Sequence, residues 1–146
     1  MRSSCAHWGG NWGYAITSDQ QRFAHELFDL AGFHVVHGHS SHHAKAIEIY
    51  RDRLILYGCG DFITDYEGIS GYEQYRNDLS LAHLPQLSAS GALRELTVIP
   101  FRTRKFRLEA TSRDDALWLQ SRLDRESARL GTHVTLDSKN ILRVSK

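Results

Sequence analysis

The chain has 146 residues, 41% hydrophobic and 24% charged, with a net charge of +1 when histidines are neutral. That is the size and make-up of one globular domain with a real core, and the balance of charge gives no electrostatic case for nucleic acid. No apolar run reaches the ~20 residues that span a bilayer, and the opening MRSSCAHWGGNWGY has no apolar core of a signal peptide. The chain as it stands is therefore expected to be soluble, without a membrane segment or export address, and cytoplasmic. Cys5 and Cys59 are too few for a disulfide framework, and their strand-like apolar settings predict two buried, reduced thiols.

In chain order, residues 2–8 read as a short strand ending near His7, followed by the Gly-rich loop GGNWGY. Trp8, Trp12 and Tyr14 either pack over the sheet edge or wall a pocket with His7 at its floor. Residues 18–31 are predicted helical, with Ser18 as N-cap, Gln21 completing a capping box, an apolar stripe of Phe23, Leu27, Phe28 and Leu30, and Gly32 as the stop. His25 and Glu26 are expected to face solvent. Val35 and Val36 read as the end of a buried strand that stops at His37, after which come Gly38 and a small polar loop carrying His39, Ser40, Ser41, His42 and His43. Strand, helix and strand within this length form a βαβ unit, which implies a parallel pair. Residues after parallel strands emerge on one edge, so His7 and the His39 loop are expected to lie close together.

Strands are predicted at 47–50 and 54–58 around a tight RDR turn, then a polar, aromatic loop over 60–76. Residues 78–87, 91–100 and 104–111 read as antiparallel, hairpin-linked strands, with RTRKFR at 102–107 a solvated turn and strand edge or a phosphate-facing patch. A second helix is predicted over 113–130, with Ala116, Leu117, Leu119, Leu123 and Leu130 apolar and Gly131 ending it. HVTLDS and ILRV close the chain as a hairpin.

Neutral imidazoles bind first-row divalent metals, and a hydrolytic site keeps a position open for water. His39 and His42, three residues apart on a loop leaving a buried strand, are candidate ligands of one metal or a pair, with Ser40 and Ser41 as supporting donors. A nucleotide-binding histidine triad is excluded because Gly38 and two serines break the alternation. A zincin is excluded because no HExxH string occurs. A nucleophilic Cys59–His pair is disfavoured by the apolar LYGCG context. A two-metal centre needs a bridging carboxylate and further anionic ligands, and Asp61, Asp65 and Glu67, the acids near the cluster, share one later loop.

HWGGNWG, the helix after it, VVHGHSSHHAKAIEIYRDRLILYGCGDF and DYEGISGYEQYRNDL together resemble the C-terminal half of the CapA family, the poly-γ-glutamate capsule synthesis proteins grouped with calcineurin-like metallophosphatases. The resemblance implies an α/β fold: part of a four-layer α/β/β/α sandwich, a single domain over residues 1–146, with a mixed sheet and antiparallel hairpins. It also implies a two-metal phosphoesterase-like site for divalent ions (Mn, Zn or Fe) and a small-molecule or polymeric phosphate or anionic substrate. His7, His39 and His42 match the family's metal-binding histidines, and His39 and His42 the residues of its GHxxH-type motif on which hydrolysis depends. The acids of the 61–67 loop fall outside the innermost ligand set, and Gly60-Asp61-Phe62 stands where many members carry GNF. The family's N-terminal half, with its aspartate and asparagine-histidine motifs, precedes the matching region, so this chain alone is expected to be inactive. Association with the cell envelope is an expectation for full-length relatives. The competing reading is a non-catalytic module that binds a metal or an anionic polymer.

Overall fold

In a computed structural model, which describes residues 1–65 and 69–146, the chain folds as two sheets and two helices. The first sheet contains β1 (Ser3–His7), β2 (Val35–His39), β3 (Ile47–Tyr50) and β4 (Arg53–Leu56) in the order β1-β2-β4-β3. Helix α1 (Ser18–Asp29) connects β1 to β2, and the two strands are parallel, as a βαβ crossover requires. β2 also runs parallel to β4, while β3 and β4 form a hairpin. Arg51 and Asp52 turn that hairpin with φ of 47° and 60°, the double positive φ of a type I′ connection.

The second sheet is antiparallel: β5 (Leu79–Leu87), β6 (Leu93–Arg104), β9 (Leu142–Ser145) and β8 (His133–Leu136) in that order, with β7 (Arg107–Ala110) on β6. Pro100 falls between the stretch of β6 that pairs with β9 and the stretch that pairs with β7, where a missing N–H breaks no ladder on that side. Pro85 lies on β5, an edge strand.

Two cores result. Ala24 and Phe28 of α1 pack with Val36, Ile55 and Tyr57 on one face of the first sheet. On its other face Ile47, Leu54 and Leu56 meet Leu79, Leu81, Leu96 and Val98 of the second sheet, together with Leu119 and Leu123 of α2 (Arg113–Ala128). Fully burying each such side chain contributes ~1.5–3 kcal/mol. α2 closes this core at the β3 edge, where Ser127 Oγ and Thr132 Oγ1 accept the Ile47 and Ile49 N–H groups at 2.9 Å each.

Several local expectations shift. The α1 cap is Thr17, not Ser18: its hydroxyl accepts from the Gln20 N–H, and the Gln20 side chain returns the bond, so the capping box sits one residue earlier. Phe23 and Leu30 are exposed, because the buried face of α1 runs through Ala24, Leu27 and Phe28. His25 does not face solvent. It bonds the buried Glu48 carboxylate at 2.8 Å and stacks on Tyr50. Leu117 is exposed on α2. Cys5 is exposed and Cys59 half-buried, both as free thiols. Burial pushes the Cys59 thiol up to about 12. No helix among the described residues is long and apolar enough to cross a membrane.

Candidate functional site

The parallel pairing of β1 and β2 sets His7 directly beside His39. Their Nδ1 atoms are 3.2 Å apart and the rings meet edge to face. Period-two alternation places Cys5 and His37 on the same face two residues earlier, with Cys5 Sγ 3.6 Å from His37 Nδ1. The backbone must stay bare just behind this face. A Cβ on Gly38 would lie 2.3 Å from Trp8 Nε1 and 2.7 Å from the Tyr57 carbonyl oxygen, because the Trp8 indole crosses Gly38 to donate to that carbonyl. Trp8 therefore packs against Tyr57 and Phe23, and it also lines, with His7, a groove of about 470 Å³. Both readings of Trp8 hold at once.

His42 stands on the loop after β2. Its Nδ1 pairs with the Asp61 carboxylate at 3.0 Å, and Trp12 packs against its ring. Asp61 thus holds the His42 ring, since a carboxylate on one ring nitrogen fixes its tautomer. Among the described residues Asp65 joins no such pairing, and Tyr66 and Glu67 lie outside them.

The loop carrying His42 is bound to the Gly-rich loop rather than supporting the imidazoles through its serines. Ser40 Oγ donates to the Gly9 carbonyl, the His42 N–H to the Asn11 carbonyl, and Ser41 Oγ to the His43 carbonyl. Lys45, 5% exposed, reaches the Gly10 carbonyl with Nζ at 3.2 Å, and burial lowers its pKa. Beneath this clamp His43 is sandwiched among Trp12, Tyr14 and Tyr75, while Trp12 stacks in parallel on Tyr72 at 4.1 Å. Burial pushes the His43 imidazole down to about 4, against the hydrogen bond that its Nδ1 makes to the Ala44 carbonyl.

On the inner side, a cleft of about 500 Å³ between the sheets is lined by His37, His39, Cys59, Phe62 and His83. Burial, reinforced by the nearby His37, lowers His83 to about 4, so it is a neutral imidazole at physiological pH.

Two imidazole nitrogens held by one first-row ion at ~2.0–2.1 Å lie about 3.0–3.4 Å apart. The His7–His39 spacing fits that pair. Among the described residues, however, no group of three His, Cys, Asp or Glu side chains is gathered tightly enough to hold an ion. The fold brings His7 and His39 together, and it places His42 on the neighbouring loop in the grip of Asp61. Sequence reasoning left Asp61 without a role and did not single out His37, His83 or Lys45. The alternation of β2 carried the signal for His37, since residues two before a candidate ligand share its face.

Residues 4–66, from β1 through the Asp61 loop, match the family described as Bacterial capsule synthesis protein PGA_cap. Two strains of Mycobacterium tuberculosis each have a protein, named a probable polyglutamine synthesis accessory protein, that is 48% identical over 139 residues, or 94% of this chain. An uncharacterized protein of Sinorhizobium fredii is 40% identical over 60 residues, 41% of this chain and 13% of its own length. The chain spans 36% of the length of the mycobacterial relatives. With the histidine strands and their loops inside the matched region, the chain belongs to the CapA-type family of bacterial capsule synthesis proteins.

Proposed function

We propose that the chain supplies the histidine-bearing part of a two-metal, phosphoesterase-like centre in a protein of poly-γ-glutamate capsule synthesis. His7, His39 and His42 are the metal ligands in this reading, and turnover depends on His39 and His42. The observation that carries it is the 3.2 Å approach of the His7 and His39 Nδ1 atoms across two parallel strands. The His42–Asp61 pair supports it, since a carboxylate on the far nitrogen raises the basicity of a ligating imidazole. A bound Zn²⁺, Mn²⁺ or Fe ion would act as a Lewis acid toward a phosphoryl oxygen. The chain's own residues hold and orient: Asp61 fixes the His42 tautomer, and Lys45 and Ser40 pin the Gly-rich loop beside it.

Neutral imidazoles bring no negative charge, and two cations at the ~3.5–4 Å of a two-metal centre repel strongly without a bridging carboxylate. The remaining anionic ligands in this reading come from chain outside these residues, as the length of the mycobacterial relatives allows. The substrate class is a phosphate ester or an anionic polymer. A second reading is a metal- or polyanion-binding module without turnover, in which the paired His7 and His39 imidazoles hold one ion.

Calorimetric titration with Zn²⁺ and Mn²⁺ tests the ligand assignment. The chain should bind one ion weakly, and acid should weaken binding because a ligating nitrogen must be free of its proton. His39→Ala and His42→Ala should each weaken binding at least tenfold, the range seen when a metal site loses a supporting group. Equal binding by all three proteins would overturn the assignment.

A further inference from the structure

We propose that the cleft between the sheets holds the uncharged, mainly apolar organic part of an ester whose phosphate is bound at the His7–His39 pair, an inference that rests on that reading of the pair and names its substrate class. The cleft of about 500 Å³ falls within the ~300–1,000 Å³ of small-molecule sites. Its walls are Val35, Leu54 and Leu56 of the first sheet with Leu81 and Pro85 of β5. Among the described residues no Asp, Glu, Lys or Arg lines it. A phosphate or carboxylate carried between these walls would lose its water and meet no cation, which is costly. The charged end of a ligand therefore stays outside, and only an uncharged part enters.

The cleft meets the histidine site on two sides. His39, whose Nδ1 lies 3.2 Å from that of His7, is part of its wall. Phe62 is part of it too, one residue after the Asp61 that holds His42, and Ser80 Oγ fixes the Phe62 carbonyl at 2.9 Å. His83 is a second, independent sign of a ligand. Its half-buried imidazole lines the cleft near His37, is kept neutral by burial, and makes no hydrogen bond to any described residue. The other buried or half-buried imidazoles of the cores differ: His43 bonds the Ala44 carbonyl and His25 the Glu48 carboxylate. A neutral imidazole offers one donor and one acceptor, and a single polar group of this kind orients a mainly apolar ligand. The occupant is an aromatic or aliphatic alcohol moiety that presents an uncharged hydrogen-bonding group to His83.

Fluorescence titration of the metal-free chain, with chelator present, tests the proposal with N-phenyl-1-naphthylamine, an uncharged probe that brightens in apolar surroundings. The chain should take up the probe saturably, and 1-naphthol should displace it. Ala82 lines the cleft, so Ala82→Trp should fill it and weaken probe binding at least tenfold. Ala82→Val, a smaller filling that suits a strand, should weaken it by less and guards against misfolding of the larger variant. Phe23→Ser, at an exposed ring outside the cleft, should bind like the parent. His83→Leu should cost 1-naphthol about fivefold, the loss of one hydrogen bond, and cost naphthalene nothing. No saturable binding would overturn the proposal, as would undiminished binding by both Ala82 variants or an equal loss in Phe23→Ser. An equal change for both ligands in His83→Leu would overturn the role of His83. Probe uptake that disappears when the chain is joined to the remaining part of its mycobacterial relative would also overturn it, since the rest of the protein would then fill the cleft. Titration of the same proteins with Zn²⁺ keeps the two claims apart. Metal binding beside an empty cleft sinks this inference alone, and probe binding without metal binding sinks the two-metal reading while the cleft remains a site for an apolar ligand.

Discussion

Gly38 shows how tightly the chemistry of one residue constrains the site. It lies between the two histidine positions of β2, with the Trp8 indole on one side and the Leu56 and Tyr57 carbonyls on the other. Backbone cannot retreat as a flexible side chain can, so Gly38→Ala should cost about 3 kcal/mol, the upper end for overpacking, and displace Trp8. Chemical denaturation, with Trp fluorescence as the probe, measures both effects. His43 gives the pH dependence. Its folded pKa of about 4 lies below the ordinary 6.5, so the unfolded chain takes up the proton first as pH falls. Its contribution is complete above pH 6.5 and is lost as pH drops through about 4, a change of at most ~3 kcal/mol. In the presence of chelator, His43→Phe keeps the aromatic sandwich and should make the stability profile shallower across that window, leaving the part that His83 contributes. An unchanged profile would contradict a neutral, buried His43.

At the scale of the elements, the outer edge of β3 takes its hydrogen bonds from residues outside its sheet, as the edge of β8 does through Val134. Ser127 and Thr132, both fully buried, accept N–H groups of β3 that have no strand partner on that side. Ser127→Ala leaves the Ile47 N–H buried and unsatisfied, which should destabilise the chain by about 1–3 kcal/mol. Amide exchange should show the Ile47 proton losing protection while the β2–β4 ladder keeps its own. The same strand explains why some of the fold was legible in the sequence and some was not. β1, β2 and α1 could be read from the order of apolar segments and from Gly32, and the parallel pairing followed from the connection length. The bond between Ser127 and Ile47 joins residues 80 apart, and no local pattern encodes it. The cap of α1 fell one residue from its expected place because Thr17-Gln20 and Ser18-Gln21 offer the same capping chemistry, and only the chain's path out of Ile16 selects between them. His7 and His39 were predictable as neighbours, since parallel register is a property of the element. Asp61 was not, because its pairing with His42 depends on how the loop after β4 folds back.

At the scale of the whole molecule, β1 is an edge strand in a sheet that is otherwise parallel around it, and its Ser3, Cys5 and His7 side chains are exposed. Parallel strands are ordinarily covered on both faces. An open edge of this kind is a template for another strand, so the isolated chain should self-associate at micromolar concentration, and charge placed on the edge should suppress it. Analytical ultracentrifugation of the chain and of Ser3→Lys decides this: a strictly monomeric parent would show that the β1 edge needs no neighbour. The proposed centre makes the same demand, because its anionic ligands come from outside these residues. The most direct test is p-nitrophenyl phosphodiester hydrolysis with Mn²⁺ or Zn²⁺, by the chain alone and by the chain joined to the remaining part of its mycobacterial relative. The chain alone should give background rates. The joined protein should show metal-dependent turnover that falls at least a hundredfold in His39→Ala or His42→Ala, as for loss of a group that stabilises the transition state. Metal-dependent turnover by the chain alone, abolished by His39→Ala, would contradict the split centre, as would a joined protein whose turnover is indifferent to both histidines.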